Sequence, residues 1–256
     1  MDLTEAARPL RLSGSSPMGI LLIHGFTSTP ASVAPWAHGL NTTLKSEVSV
    51  PLLPGHGTRW QDLNNVRWQD WETTVLAAYD ELANLHPVVV VGGLSLGGAL
   101  ACLVAAKRPK TAALILVNHL MWLGNPALFL APLIMRLTPS MSAVAGDLKK
   151  PGVVEPAYDR VPTGGVDQFR RLLKVVRRLL PSITAPTLLF KSREDHVIPR
   201  VSTTRTIERL GSLHKELVWL DNSYHVATLD NDLPLIVEKS AAFLREVAGS
   251  RTGATQ

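Results

Sequence analysis

The stretch V-V-V-V-G-G-L-S-L-G-G-A-L-A, residues 88–101, passes from an apolar run through Gly-x-Ser-x-Gly into a helical pattern. This strand-to-helix context is that of a nucleophile elbow, in which a serine lies on a tight turn at the carboxyl end of a buried strand. Gly93 and Gly97 stand where a Cβ would collide with neighbouring chain, and the following helix brings its positive end beside the serine. The pattern therefore predicts that Ser95 presents its hydroxyl at the edge of a sheet.

Short apolar runs bounded by turn residues alternate along the chain with helical patterns. This alternation predicts an α/β fold with a mostly parallel sheet, and the nearly continuous hydrophobicity of the runs fits strands buried on both faces. The predicted strands are Gly19–Ile23, Val48–Leu52, Val88–Gly92, Ala112–Val117, Thr187–Phe190 and Glu216–Leu220. The predicted helices are Ala31–Leu44, Trp68–Leu85, Ser95–Lys107, Arg200–Leu210 and Leu233–Val247.

Length and composition are consistent with one large core. With 256 residues and 46% hydrophobic content, the chain is expected to form a single domain over residues 1–256. The segment between the strands that end near Val117 and begin near Thr187 is too long for a simple crossover. We interpret residues 119–181 as a small cap inserted over the open end of the sheet. The tail, residues 249–256, has no large apolar side chain to anchor it and is expected to be flexible.

The single cysteine, Cys102, lies in an apolar helical stretch, so the sequence contains no disulfide framework and no Cys/His cluster with zinc spacing. We therefore expect no metal ion and no cofactor. The first residues, M-D-L-T-E-A-A-R, lack the apolar run of a secretory signal. This start predicts a cytoplasmic protein.

The formal net charge is +5, but the basic residues are dispersed, which argues against a nucleic-acid partner. The densest basic group lies on one face of a predicted helix and comprises Arg170, Arg171, Lys174, Arg177 and Arg178. This face is either a solvated helix surface or a surface attracted to anionic lipids. The apolar cap is a second candidate for peripheral membrane contact. Both a monomer and a homodimer are compatible with the sequence.

A serine hydroxyl at neutral pH needs a histidine that accepts its proton and a carboxylate that orients this histidine. In a fold built on a nucleophile elbow, the order along the chain is serine, acid, histidine. The strand T-L-L-F-K is followed by S-R-E-D-H-V-I-P with Glu194 and Asp195, and E-L-V-W-L is followed by D-N-S-Y-H with His225. Asp195 is preferred to Glu194 because it lies nearer the Val-Ile-Pro turn. The predicted triad is Ser95, Asp195 and His225.

An oxyanion hole requires two backbone donors aimed at the attacked carbonyl oxygen. One is expected from Leu96, the residue after the predicted nucleophile. The other is expected from the loop after G-I-L-L-I, where Phe26 follows His24 and Gly25. An ordinary loop is the alternative for this His-Gly pair. Its place after a buried strand and before a helix favours the oxyanion hole.

Several stretches resemble the bacterial monoacylglycerol lipases and related small carboxylesterases of the α/β-hydrolase superfamily. They are L-L-I-H-G-F-T-S-T-P, L-P-G-H-G-T-R-W-Q-D-L, G-L-S-L-G-G, S-R-E-D-H-V-I-P, N-S-Y-H-V-A-T-L-D-N-D and G-D-L-K-K-P-G-V-V-E-P-A-Y-D-R-V-P. The resemblance runs over most of the chain and implies an α/β-hydrolase fold. It also implies the triad Ser95, Asp195 and His225, with Phe26 and Leu96 at the oxyanion hole.

The same resemblance implies that Glu155 binds the glycerol moiety of the substrate and that Val144 lines the acyl pocket. For Glu155 the alternative is a solvated carboxylate of the cap. The implied activity is a serine hydrolase that cleaves small-molecule lipid esters, foremost monoacylglycerols, through an acyl-enzyme. A short-chain carboxylesterase or thioesterase with the same triad is an alternative. An alternative from another class is a non-catalytic ligand receptor, because this fold has been reused for small-molecule sensing.

Overall fold

The computed structural model of the chain describes residues 3–122, 138–142 and 146–253. Its helices are α1 Leu3–Ala6, α2 Ala34–Leu44, α3 Trp68–Leu85, α4 Leu96–Lys107, α5 Thr163–Leu179, α6 Arg200–Arg209 and α7 Leu233–Gly253. Its strands are β1 Leu10–Leu12, β2 Met18–Ile23, β3 Glu47–Val50, β4 Val88–Leu94, β5 Ala113–Val117, β6 Ser140–Ser142, β7 Arg160–Pro162, β8 Thr187–Ser192 and β9 Lys215–Leu220.

Within the described ranges, seven strands form the central sheet, in the order β1-β3-β2-β4-β5-β8-β9. Among the described strands of this sheet, β1 alone is antiparallel to its neighbour, and the other pairs run parallel. The six parallel strands are the six that the sequence predicted, with ends shifted by no more than two residues. The prediction of an α/β fold with a mostly parallel sheet is confirmed. Because these strands are parallel, the loops after β2, β4, β5, β8 and β9 meet at one edge.

Alternate residues of the inner strands β2, β4, β5 and β8 enter two separate cores. Leu21 and Ile23 of β2 pack on the side covered by α3, α4 and α5. Ile20 and Leu22 pack on the opposite side, against α2 and α7. Burial on both faces explains why these strands are continuous apolar runs in the sequence rather than alternating ones.

Helix α4 is buried on all sides between the sheet and its neighbouring helices. Every residue from Leu96 to Ala105 is buried, in keeping with a helix that is apolar around its whole circumference. Cys102 lies within it, and burial raises the pKa of its thiol to about 12. This cysteine is therefore a neutral core residue at physiological pH.

The structure adds elements that the sequence did not reveal. Strand β1 is three residues long with Arg11 at its centre, too short for a periodic pattern, and it pairs antiparallel with β3. The helix predicted from Ala31 begins at Ala34, after a 3-10 turn at Pro30–Ser32. Helix α7 continues to Gly253, beyond its predicted end.

The connecting segment, residues 118–186, joins β5 to β8. Its described part contains an antiparallel hairpin of β6 and β7, followed by α5. Helix α5 buries Phe169, Leu172, Leu173 and Val176 against the core, and its other face carries the predicted basic group. No helix among the described residues combines the length and the apolar character needed to cross a bilayer.

Candidate active site

Ser95 occupies the turn between β4 and α4 in a strained backbone conformation. Its φ of 55° and ψ of −114° are rare for a residue with a side chain. Hydrogen bonds hold the turn in place: the Ser95 N–H donates to Val117 O at 3.1 Å, and the Ser95 carbonyl accepts from the N–H groups of Gly98 and Leu120. Three neighbouring elements therefore enforce the geometry that the sequence predicted for this elbow.

The glycines on either side of Ser95 leave no room for a side chain. A Cβ on Gly93 would lie 2.2 Å from the carbonyl carbon and oxygen of Gly97. A Cβ on Gly97 would lie 2.0 Å from the carbonyl oxygen of Ile23. Gly97 thus lets α4 approach the end of β2, the strand that leads into the predicted oxyanion loop.

Asp195 and His225 meet at the carboxyl edge of the sheet, from the loops after β8 and β9. His225 Nδ1 lies 3.2 Å from both carboxylate oxygens of Asp195. Asp195 Oδ1 also accepts the N–H groups of Val197 and Ile198, at 2.9 and 2.8 Å. Glu194, the alternative acid, is exposed and pairs with Lys149 instead. Of the two neighbouring carboxylates, the one held against His225 is Asp195.

Lys191 is a buried partner of Asp195 that the sequence analysis missed. Its ammonium group donates to Asp195 Oδ2 and to Ile198 O, and its side chain is 0% exposed. Burial would raise the pKa of Asp195, but the charges and hydrogen bonds of His225 and Lys191 outweigh it and hold that pKa well below its ordinary value. Asp195 is therefore ionised at neutral pH.

Asn118, at the end of β5, joins the acid loop to the histidine loop. Its Nδ2 lies 2.9 Å from Ser192 Oγ, 3.2 Å from Tyr224 O and 2.8 Å from His225 O. Its Oδ1 accepts the Ser192 N–H at 2.9 Å. The residue is fully buried with a φ of 42°, a conformation that asparagine tolerates better than most residues. It fixes the carboxyl ends of β5, β8 and β9 relative to each other.

The loop after β2 is held by a buried, neutral histidine. His24 Nε2 accepts the Leu53 N–H at 3.1 Å, which leaves Nδ1 as the donor to Gly25 O at 3.0 Å. Burial, together with the charge of His56, lowers the pKa of His24 well below its ordinary value. Phe26, the predicted oxyanion donor, packs its ring against Trp71. The predicted His-Gly loop is thus fixed by its own side chains.

Leu96 begins α4, and the first N–H groups of a helix have no acceptor within the helix. Phe26 and Ser95 line one cavity of about 310 Å³. The backbone around the predicted nucleophile can therefore offer donors toward this space. Because the dipole of α4 has its positive end at the same place, negative charge on a bound oxygen would be stabilised there.

The cavity above Ser95 has a mostly apolar wall. His225 and Glu155 share this cavity with Ser95, and the connecting segment supplies much of the rest of the wall. Its apolar lining residues include Leu120, Tyr158, Val161, Phe169 and Leu173. Burial raises the pKa of Glu155, although Ser28, the charge of His225 and the backbone of Gly146 oppose that rise. Such a cavity suits a ligand with an apolar body and a small polar head.

Two carboxylates bind the start of this wall to the histidine loop. Asp147 Oδ2 accepts the N–H of His225 at 3.1 Å, and Asp147 O accepts the N–H of Val226 at 3.2 Å. Asp230 is buried and accepts the N–H groups of Lys149 and Lys150 at 2.7 and 2.8 Å. The segment around residues 146–150 and the loop that carries His225 therefore form one unit.

A model of the alpha/beta hydrolase family matches residues 20–237 of the chain. The chain belongs to the alpha/beta hydrolase family. It is 36% identical over 236 residues to the thermostable monoacylglycerol lipase of Bacillus sp. (strain H-257), an overlap of 92% of this chain and 93% of the other. It is 23% identical over 244 residues to the carboxylesterase of Bacillus subtilis (strain 168), covering 94% and 97% of the two chains.

Solved structures agree with this assignment. One, described under LipS and LipT, two metagenome-derived lipolytic enzymes, superposes with a TM-score of 0.90 at 36% identity, covering 94% of this chain and 98% of that one. The Paleococcus ferrophilus monoacylglycerol lipase superposes with a TM-score of 0.73 at 19% identity, over 92% and 98%, and shows the shared fold. This alpha/beta hydrolase is a carboxylic ester hydrolase, as the sequence predicted.

Two further predictions concern the alpha/beta hydrolase's pocket wall and metals. Val144, the predicted acyl-pocket residue, lies outside the described residues. Within the described part of the chain, no group of His, Cys, Asp and Glu side chains is arranged to hold a metal ion. His119 is buried beside α6 with its Nε2 2.8 Å from Thr206 Oγ1.

Proposed function

We propose that this alpha/beta hydrolase cleaves monoacylglycerols to a fatty acid and glycerol, with Ser95 as nucleophile, His225 as base and Asp195 as the acid that orients the base. The observation that carries the proposal is Glu155, a largely buried carboxylate in the same cavity as Ser95 and His225. A carboxylate beside a mostly apolar wall can accept hydrogen bonds from the polar head of a ligand whose body lies along that wall. The 36% identity to a monoacylglycerol lipase supports the same substrate.

The first chemical step is acylation. His225 accepts the hydroxyl proton of Ser95 as Oγ bonds to the ester carbonyl carbon, and the N–H groups of Phe26 and Leu96 donate to the oxygen that becomes negative. Asp195 stabilises the imidazolium that forms, because its pKa stays low and it remains ionised. The intermediate then collapses: the bond to the glycerol oxygen breaks, and His225 returns the proton to that oxygen.

The second step releases the fatty acid. His225 accepts a proton from water, the water oxygen bonds to the acyl carbon, and the same two N–H donors hold the second oxyanion. The bond to Ser95 Oγ breaks and the proton returns to that oxygen. The two steps together consume one ester and one water, release glycerol and the fatty acid, and return Ser95 and His225 to their starting protonation states.

The connecting segment serves as the cap in this proposal. It supplies Tyr158, Phe169 and Leu173 to the apolar wall and Glu155 to its polar part. In our assignment the acyl chain lies along the apolar wall, and Glu155 accepts hydrogen bonds from the free hydroxyls of glycerol. A simple alkyl ester lacks those hydroxyls and cannot form these bonds.

The test compares 1-monoacylglycerols with ethyl esters of the same acyl chains. Glu155→Ala is expected to lower kcat/KM for the monoacylglycerol by about 10-fold to 100-fold, because hydrogen bonds to a charged group contribute about 1.5–3 kcal/mol. The ethyl ester should change by less than about threefold, because it makes no such bond. Ser95→Ala should abolish both reactions.

Asp159→Ala is the matched control, since Asp159 is an exposed carboxylate of the same segment. It should leave the preference for the glycerol ester unchanged. If the parent cleaves only short simple esters and Glu155→Ala has no selective effect, the protein is a carboxylesterase and the glycerol site is wrong. Preference for thioesters would indicate a thioesterase, whereas tight binding of ester without turnover would indicate a receptor.

A further inference from the structure

Lys191 lies in β8 and reaches the acid loop from inside the sheet. Its ammonium group donates to Asp195 Oδ2 and to Ile198 O. The side chains of Lys191 and Asp195 are 0% and 1% exposed, and that of His225 is 10% exposed. The triad carboxylate therefore has a second cationic partner that solvent does not reach.

Lys191 and His225 share the Asp195 carboxylate, and His225 Nδ1 is equally close to both of its oxygens. Asp195 Oδ2 accepts from Lys191 and lies 3.2 Å from His225 Nδ1, while Oδ1 also accepts the Val197 and Ile198 N–H groups. A carboxylate that already neutralises one ammonium attracts a second positive charge less strongly. Lys191 and an imidazolium formed during the reaction would therefore compete for the same carboxylate.

Other charged and titratable groups face this pair. Arg200, at the start of α6, and Asp147, in the connecting segment, both act on Lys191. His119 faces it from the end of β5; burial and then the charge of Lys191 lower the pKa of His119 to about 3, so this imidazole is neutral. Glu155 acts on His225 from the cavity side. None of these groups donates a hydrogen bond to the Asp195 carboxylate, whereas Lys191 does.

We propose that Lys191 is a positioning residue of the triad that shares Asp195 with His225 and thereby sets the lower pH limit of catalysis. The inference rests on the proposed function, because it assigns a role to a residue that acts through the proposed base. The Nζ–H bond to Ile198 O also fixes the loop whose N–H groups hold Asp195. Lys191 thus controls both the charge and the position of the acid.

The test is the pH dependence of kcat/KM for Lys191→Met, measured with a p-nitrophenyl ester from pH 4 to 9. The acidic limb of this profile reports protonation of the free enzyme's base. Removing a unit charge a few ångströms away should move this limb to higher pH by about one pH unit. Circular dichroism establishes first that the variant is folded. Lys191→Gln, which keeps a donor but not the charge, gives the same measurement if Lys191→Met does not fold.

Lys215→Met is the matched control. Lys215 lies on the neighbouring strand β9, and its ammonium group donates to Ile207 O and Leu210 O rather than to a triad residue. This variant should lose stability without moving the acidic limb. An acidic limb that stays in place or moves to lower pH in both Lys191 variants would overturn the inference. Absence of ester hydrolysis in the parent would instead overturn the proposed function.

Discussion

Asn118 Nδ2 lies 2.8 Å from the carbonyl oxygen of His225, so the end of β5 is tied directly to the loop that carries the proposed base. The same amide binds Ser192 and Tyr224, and thus reaches the loops after both β8 and β9. One buried side chain therefore sets the separation between the acid and the histidine.

Asn118→Asp should lower kcat for ester hydrolysis by about 10-fold to 100-fold with little change in KM. The shape is kept, but a carboxylate oxygen replaces the donor and repels the carbonyl oxygens of Tyr224 and His225, and small misplacements of a base cost rates of this order. Steady-state kinetics on one ester measure the effect. Asn222→Asp, in an exposed part of the histidine loop, should leave kcat unchanged. Equal losses of kcat in both variants would contradict the proposal that Asn118 holds the acid and histidine loops in place.

Asp195→Asn should destabilise the fold as well as abolish activity. It leaves the Lys191 ammonium buried without its carboxylate, and breaking a buried ion pair costs about 3 kcal/mol or more. Adding Lys191→Met to Asp195→Asn should recover much of this loss. Urea denaturation of the single and double variants gives the coupling energy. Glu194→Gln is the control, because Glu194 is exposed; a similar loss there would argue against the buried pair.

The stability of Asp195→Asn should depend on pH, because this variant removes the carboxylate that pairs with Lys191. Burial lowers the pKa of Lys191 already in the parent, and removal of the carboxylate removes the opposing effect. The folded variant then binds fewer protons than its unfolded chain, whose lysines titrate near 10.4, so stability rises with pH below that value. Denaturation between pH 7 and 10 should show the loss shrinking as pH rises. A loss that is constant with pH would show that Lys191 keeps its proton in the variant.

Glu155→Gln should raise the thermal midpoint at pH 7 while lowering activity on monoacylglycerols. Burial raises the pKa of Glu155 in the folded protein, so the folded state binds more protons than the unfolded chain. The parent therefore loses stability as pH rises from about 4.3 through this raised pKa. The Glu155→Gln variant does not, because its side-chain amide does not ionise. The gain should vanish near pH 4. The exposed Asp159→Asn should show neither effect; a gain at both pH values would point to packing instead.

Gly97→Ala should prevent folding or inactivate the protein, because its Cβ would lie 2.0 Å from Ile23 O and 2.7 Å from His24 O. A side chain there forces α4 away from the loop after β2, which carries Phe26, the proposed oxyanion donor. Gly249→Ala, in α7, is the matched control: among the described residues, apart from its chain neighbours and its own helix backbone, no atom lies within 4 Å of an added Cβ, and alanine should stabilise the helix by about 0.5–1 kcal/mol. Soluble yield and thermal denaturation compare the two. A soluble, active Gly97→Ala would contradict the steric argument.

The sequence predicted the inner parallel strands well because burial on both faces makes them nearly continuous apolar runs. It predicted Ser95, Asp195 and His225 because the chemistry requires an acid and then a histidine at successive strand ends, and both residue types stand there. Strand β1 was not predicted because three residues are too few to show an alternating pattern. It is recognised as a strand by its pairing with β3.

Lys191 and Asn118 carried no local signal. A lysine within an apolar strand looks like an exposed edge residue, and its role depends on a carboxylate four residues later that folds back over it. Asn118 contacts residues 74 to 107 positions away along the chain. Such roles depend on the strand order β5-β8-β9, which places distant loops side by side and which the alternation of patterns alone does not specify.

The carboxylates of Asp147 and Asp230 link the pocket wall to the histidine loop by hydrogen bonds, so the two should move together. Through the Asp147 bonds to the N–H groups of His225 and Val226, we expect a bulky substrate that displaces residues 146–150 to shift the backbone of His225 as well. A poorly fitting substrate should therefore have a lowered kcat more than a weakened affinity, because displacement of the wall would misorient His225, the proposed base. Selectivity in this hydrolase would then be exerted at the chemical step, and enlarging the pocket by mutation would alter rate and preference together.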